Sequence, residues 1–450
     1  MKEELAQVLA PLLGESTVVE NLHLLTGGAS RMTYSFDAVT GAQCRPLILR
    51  AAPLEGSEHF AGMELEAAAQ AAAADAGAPV PHVLIASDSI AALGNPFLIC
   101  DHIAGETIVR KIQRQLDDAG RAALLTQCAE ALAAIHRAQA DAPGLIEQDP
   151  LDDWRQRVDA MGDTTATFEW AYRWLLEHQP APGPKRLVHG DFRMGNLIVD
   201  GSHLAAVLDW ELVHVGDIHE DLAWFCIRAW RFGAPETLAA GGLGGIEDFI
   251  SAYERAGGVA VDRATLRWWM ILGTLRWGMI CRYQAERHLS GQTRSVELAA
   301  IGRRVCETEW DVLDLLLVES TMPPRNEAEE ERDNRVRGEV TTGRPTAAEL
   351  VAAVAEFLEG EVRATTSGAV NFHALVAANA LRIVERELLD DTGAEPREAL
   401  AALGFADEEG LAASIRSGQL GDRQVEVVAC LRSVVGHRLA ISHPGYAAPT

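Results

Sequence analysis

Between Leu187 and Glu211 the chain reads LVHGDFRMGNLIVDGSHLAAVLDWE, with two short apolar runs separated by Asp-Gly. Asp-Gly between β-like runs signals a tight hairpin, so NLIV and LAAVL are expected to pair antiparallel. Such pairing brings the open ends of the hairpin together. Asn196 stands just before the first run and Asp209 just after the second, so the two meet at one point. Asp191, five residues before Asn196, is expected to face the same space. No other stretch constrains the fold as tightly, because one turn ties three polar groups together.

The residue types suggest a chemistry. Magnesium takes one or two protein oxygens and fills its octahedron with water and substrate phosphates. Asn196 and Asp209 offer two such oxygens. A carboxylate beside them suits a base that orients a hydroxyl and accepts its proton. The plainer reading is that Asp and Asn serve here as turn formers. The rest of the chain weighs against it, because further parts of a phosphoryl-transfer site occur in the required order. LTGGASRMTYSF places Gly27, Gly28 and Ser30 in a turn between β-like runs, where backbone can cover phosphates. Arg50 ends PLILR as a cation on a following strand, and Glu66 or Glu64 on the next helix can hold it. FLICDHIAG supplies backbone at Cys100, Asp101, His102 and Ile103 that can pair with adenine.

On these residues the sequence resembles the aminoglycoside phosphotransferase and choline kinase family, over roughly residues 20 to 320. VHGDFRMGNLIVD and AVLDWELVHVGDIHEDLAW are the most specific pieces of this resemblance, and LRWWMILGTLRWGMICRYQAERH, with GGASRMTY and LILRAAP, is similar to the phosphotransferase-like domains found with acyl-CoA dehydrogenases. The resemblance implies an α+β, two-lobed protein-kinase-like fold: a β-rich N-lobe over 1–104 and a helical C-lobe over 105–320. It implies Asp191 as catalytic base, His189 bracing the loop, Asn196 and Asp209 as magnesium ligands, and ATP or another nucleoside triphosphate as donor. Asp217 and Asp221 match a stretch expected to anchor the loop. Arg50 departs from the lysine of protein kinases, yet arginine keeps its charge and can grip phosphate oxygens through its fork.

The acceptor is less legible. Trp269 and Arg276 lie on a Trp- and Arg-rich helical segment, where they are core and snorkelling residues or, in the sharper reading, meet an anionic substrate. The resemblance implies a hydroxy acid or hydroxyacyl thioester. An aminoglycoside or amino alcohol is the competitor. A nucleotide-binding regulatory pseudokinase with a partner-binding tail is a third reading.

Beyond the C-lobe, residues 321–344 are charged and poor in apolar side chains, as in a linker. Residues 345–450 read as an all-α domain resembling a helical domain of unknown function. Thr346 and Glu349 form a T-x-x-E capping box, and Leu350, Val354, Phe357, Leu358 and Val362 then share a face. Further helices are expected over Asn371 to Leu389, after Pro396 and Asp407, and around Gln424 to Ala440. Acidic residues outnumber basic ones 65 to 39, which argues against nucleic-acid binding. Seven scattered cysteines without a C-x-x-C argue against disulfides or zinc and for a reducing cytoplasm. No segment suggests a membrane span, and a homodimer is left open.

Overall fold

The computed structural model describes residues 1–25, 31–53, 61–147, 149–162, 164–317, 345–390 and 392–447. In chain order come helix α1 (Lys2–Leu13), strands β1 (Val18–Leu24), β2 (Met32–Thr40) and β3 (Gln43–Ala51), and α2 (Met63–Asp75). Then follow β4 (Val83–Ser87), β5 (Phe97–Asp101), α3 (Val109–Gln115), α4 (Asp118–Arg137), α5 (Pro150–Met161) and α6 (Ala166–Glu177). Strands β6 (Lys185–Val188), β7 (Leu197–Asp200), β8 (His203–Val207) and β9 (His214–Asp217) lead to α7 (His219–Cys226), α8 (Ile246–Arg255) and α9 (Arg263–Leu289). Helices α10 (Val296–Gly302), α11 (Val305–Leu317), α12 (Ala347–Phe357), α13 (Arg363–Thr365) and α14 (Gly368–Leu389) follow. The last are α15 (Ala394–Leu403), α16 (Glu408–Arg416) and α17 (Gln424–Ser442). Packing divides the chain into two compact units, Met1–Asp149 with Pro180–Gly273, and Pro150–Gln179 with Thr274–Thr450.

The first unit opens with an antiparallel sheet in the order β1-β2-β3-β5-β4. Strand alternation decides what each face meets. Leu47 and Leu49 of β3 join Phe36, Phe97 and Ile99 in a core closed by Leu5 and Leu9 of α1. Ile48, on the opposite face of β3, packs with Met63 of α2, Leu98 and Cys100. Arg50 shares the Ile48 face by the same period of two, so it is turned towards α2 and its acids. The expected Asp-Gly hairpin is present as β7 and β8, which pair antiparallel from Leu197↔Val207 to Asp200↔His203. Gly201 takes the turn with φ +61°, a left-handed conformation that glycine adopts without steric penalty. This β-rich start and mostly helical remainder make the expected α+β class.

Residues 345–450 are expected to form an all-α domain whose packing partner the sequence leaves open. Within the second unit, Ala166 of α6 and Cys306, Trp310 and Leu313 of α11 share one apolar cluster with Leu411, Ile415, Val427, Leu431 and Val435. Ion pairs reinforce the join: Arg416 bonds Glu169 at 3.0 Å and Asp159 at 2.7 Å, and Arg438 pairs with Glu309 and Glu408. Periodicity marks which side chains are buried but not what covers them, so the sequence could not assign this partner. The linker expected at 321–344 lies outside the described residues.

The tail helices themselves follow the pattern. The Thr346–Glu349 capping box forms, and Asp407 caps α16 by accepting from the Gly410 N–H. Leu350, Val354 and Phe357 do share a face, yet they are 53 %, 50 % and 50 % exposed. Ala348 and Ala355 are the buried residues of α12. Among the described residues no helix is long and apolar enough to cross a membrane. Leu431, with no exposed surface, gives a direct check on the shared core. Leu431→Ala should lower stability by about 2–5 kcal/mol in urea titration followed by circular dichroism.

Candidate active site

The loop from His189 to Asn196 leaves the buried end of β6 and enters β7. A single carboxylate fastens its start. Asp221 on α7 is wholly buried and accepts from the His189 N–H at 2.8 Å and the Gly190 N–H at 2.9 Å. His136 of α4 adds a third contact at 3.2 Å, and its other ring nitrogen lies 2.8 Å from the Tyr253 hydroxyl on α8. Burial pushes the Asp221 carboxyl up, but the His136 bond and charge and the His189 N–H outweigh it and hold it below the ordinary range. Gly190 has φ +82°, and a side chain there would meet Leu212, so the turn requires glycine.

His189 braces the loop from inside. Its Nε2 is 2.9 Å from the Leu208 carbonyl, and its Nδ1 accepts the Asp191 N–H at 3.2 Å. These partners require the proton on Nε2. Leu208 N–H in turn donates to the Asn196 carbonyl at 2.8 Å, which joins the open ends of the β7–β8 hairpin. Asn196 Nδ2 donates to Asp191 Oδ2 at 2.6 Å and to the Asp191 carbonyl at 2.9 Å. The amide oxygen of Asn196 is thereby turned away from Asp191. Asp209 sits at φ +68°, a left-handed backbone that is uncommon outside glycine and clusters at functional sites.

Residues 21–269, more than half of the chain, match the model of a family described as phosphotransferase enzymes. The chain belongs to the phosphotransferase enzyme family. Residues 364–446 match a domain of unknown function. Acyl-CoA dehydrogenase family member 10 of Mus musculus is 27 % identical over 337 residues, 69 % of this chain and 31 % of that protein. A homoserine kinase of Beijerinckia indica is 29 % identical over 168 residues, 35 % of this chain and 50 % of the enzyme. The chain thus spans about a third of the length of the first of these relatives. A crystal structure from Ralstonia eutropha, named for aminoglycoside phosphotransferase, superposes with TM-score 0.56 at 19 % identity, covering 70 % of this chain and 98 % of its own. That likeness shows the protein-kinase-like fold.

In this phosphotransferase Arg50 meets two acids at once. Its Nη1 is 3.1 Å from Glu66 and its Nη2 is 2.6 Å from Asp209. Glu66 is thus the acid that holds Arg50, while Glu64 instead accepts from the Asp88 N–H. Arg31 completes the cluster. It pairs with Glu66, reaches Glu211 at 3.1 Å and donates to the Ala61 carbonyl at 3.1 Å. Burial opposes the charge of Arg50, but Glu66, Asp209 and Glu211 outweigh it and raise its pKa. Burial pushes the Glu66 carboxyl up to about 7, against the pull of Arg50 and Arg31.

The other expected residues divide. Gly27, Gly28 and Ser30 lie outside the described residues. Asp101 is committed to structure: its side chain takes both Nε and Nη2 of Arg45 at 2.7 and 3.0 Å, and its N–H donates to the His82 carbonyl. The His102 N–H donates to the Pro46 carbonyl at 3.1 Å. Neither N–H is therefore available to adenine. Asp217 accepts from the His219 N–H at 2.9 Å, the anchoring type of role expected of it. Trp269 packs in the core at 8 % exposure, edge-on to Trp268, and Arg276 is half-buried in the second compact unit.

Several residues at the site were missed. Trp224 donates its indole N–H to Asp191 Oδ1 at 2.7 Å, and Arg193 Nε approaches both Asp191 oxygens at 3.1 and 3.2 Å. Arg31, Glu211 and His136 were also passed over. The GGASRMTY and AVLDWE segments carry the first two, but nothing local marks them as partners.

The raised Glu66 pKa has a consequence for stability. Between the ordinary value of 4.5 and about 7, the folded protein binds more protons than the unfolded chain, so stability falls as pH rises through this window. Glu66→Gln should remove that fall. The melting temperature of the wild type relative to the variant should drop from pH 5 to pH 8, by the equivalent of at most about 3 kcal/mol. A difference independent of pH would refute it.

Proposed function

We propose that this phosphotransferase is an ATP- and magnesium-dependent kinase that phosphorylates a hydroxyl of a small molecule carrying an acid group. The acceptor class is a hydroxy acid or hydroxyacyl thioester. The observation that carries the reading is the placement of Asp191: its carboxylate is fixed by Asn196 at 2.6 Å, on the loop that leads into the hairpin ending in Asp209.

The donor set fits a magnesium ion. Asn196 Oδ1 and the second oxygen of Asp209 are hard oxygen ligands at the joined ends of one hairpin, the ligand type magnesium prefers. Charge points the same way. Arg31 and Arg50 face Glu66, Asp209 and Glu211, leaving surplus negative charge when all three acids are ionised. When bound, magnesium would neutralise charge on the nucleotide phosphates. Arg50 would share a phosphate oxygen through its fork, and the Ile103 N–H would pair with adenine. Asp191 would orient the acceptor hydroxyl and hold its proton.

The acid group on the acceptor is supported by the relatives. Homoserine, named in one of them, carries a hydroxyl and a carboxylate. The acyl-CoA dehydrogenase proteins are named for acyl-CoA, a thioester whose acid groups are the phosphates of its CoA part. ADP release in the presence of ATP and magnesium should therefore rise with hydroxy acids or hydroxyacyl-CoA, and not with aminoglycosides or amino alcohols, which are cations. Asp191→Asn should lower turnover by about 10²- to 10⁴-fold. Turnover within tenfold of wild type would remove Asp191 as the base.

A further inference from the structure

A base must have an open lone pair to take a proton, and Asp191 has none. A carboxylate offers about four lone-pair sites. Oδ1 accepts from Trp224 at 2.7 Å and Arg193 at 3.1 Å, and Oδ2 accepts from Asn196 at 2.6 Å and Arg193 at 3.2 Å. Three N–H groups cover the four sites, because the single Nε–H of Arg193 is shared between Oδ1 and Oδ2. No hydroxyl can hand its proton to Asp191 until one donor leaves.

The three donors differ in freedom. Trp224 is 4 % exposed, with Gly273 behind it and Trp230 against its ring edge at 5.3 Å. Its indole is rigid, and no rotamer change can withdraw it without opening the core. Asn196 is 6 % exposed and holds the Asp191 carbonyl with the same nitrogen. Arg193 has a side chain 26 % exposed and makes the two longest contacts, both through one Nε. Its guanidinium lies 4.8 Å from the centre of the Trp230 ring, a flat surface that favours a cation without fixing its bearing. Its terminal nitrogens have no hydrogen-bond partner among the described residues. They form an open fork of the kind that binds carboxylate or phosphate bidentately.

We propose that Arg193 caps Asp191 until an acid group on the acceptor draws it away, so that the base opens only when an anionic acceptor is in place. The inference rests on the kinase reading above and adds a gate to that site. The gate has a chemical purpose. Without it, water could stand in for the acceptor: its oxygen would take the γ-phosphoryl group, its proton would pass to Asp191, and ADP would leave. Arg193 suppresses that wasteful hydrolysis by occupying the lone pair that water would need. An acid group offers the fork two strong bonds in place of one shared Nε contact, so the exchange is favourable. A neutral alcohol offers no such exchange.

The experiment uses the full chain and needs no knowledge of the natural acceptor. ADP release from ATP and magnesium without acceptor is compared for wild type, Arg193→Met and Arg193→Lys, with ATP binding measured by calorimetry. Arg193→Met should hydrolyse ATP at least about tenfold faster, a fraction of the roughly 10²- to 10⁴-fold that a freed base supplies. Arg193→Lys, which keeps the charge, should stay closer to wild type. Adding Asp191→Asn to Arg193→Met should abolish the gain. Propionate, an acid without a hydroxyl, should speed hydrolysis by wild type and leave Arg193→Met unchanged, and 1-propanol should do neither. Hydrolysis unchanged or slowed in Arg193→Met, with ATP still bound, overturns the cap and leaves the kinase reading standing. Equal responses to propionate and 1-propanol overturn release by an acid. Absence of ATP binding by the wild type overturns the kinase reading and the gate together.

Discussion

The geometry of this site hangs on one buried carboxylate. Asp221 has no solvent-exposed surface and no freedom to leave its three donors. Two of these are consecutive backbone N–H groups at the start of the loop, so they define both where the loop begins and which way it turns. The third, His136, meets Oδ2, the oxygen that also takes the His189 N–H, and ties it to α4, and through the Tyr253 hydroxyl to α8. A buried charge is tolerated only when hydrogen bonds replace its lost water, and here two of the replacements are the backbone of the loop itself. Removing one partner would strand the charge, a change that in general costs about 3–5 kcal/mol. Position at Asp191 is therefore set by a residue thirty positions away that never meets a substrate.

Arginine at position 50 follows from the same economy of geometry. A lysine ammonium is a compact point charge, whereas the guanidinium fork presents separated donors in one plane. Arg50 uses that separation, with one terminal nitrogen on Glu66 of α2 and the other on Asp209 beyond β8. The sheet, the helix behind it and the hairpin are joined through one side chain. Arg31 repeats the device between Glu66 and Glu211. With Glu66 shared by two cations, its burial is offset in part and its proton affinity ends near neutrality. The departure from lysine is thus a consistent alternative way of holding the same acids.

Legibility in the sequence followed the range of each interaction. The hairpin, its turn and the meeting of its ends are local, and Asp-Gly between apolar runs was enough to reveal them. The order of elements along the chain made Arg50 a strand cation and gave it an acid on the next helix, without choosing Glu66 over Glu64. Backbone commitments were invisible: the N–H groups of Asp101 and His102 are taken by the carbonyls of His82 and Pro46, 19 and 56 residues away. Long-range side-chain partners were equally hidden. Trp224 reads as one more apolar residue of a buried helix, and only the fold brings its indole to Asp191, 33 positions earlier. The tryptophan of α9 was ambiguous for a related reason, since a Trp- and Arg-rich helix looks the same whether it lines a site or fills a core.

The C-terminal helices bear on what counts as a domain here. The family match covers residues 21–269 and includes α6, while the domain of unknown function covers 364–446. Yet Ala166 of α6 lies in the same apolar cluster as Leu411, Ile415 and Val435, and Glu169 of α6 takes Arg416 in an ion pair. Glu309 of α11 is 1 % exposed and depends on Arg438 of α17 for its counter-charge. A buried acid and an apolar face both require cover that the phosphotransferase segment lacks within this cluster. The two matched regions are separate in sequence and joined in energetics. Burying α6 and α11 against α15 to α17 makes the tail part of the folding unit that carries the second half of α9, and not an appendage to it.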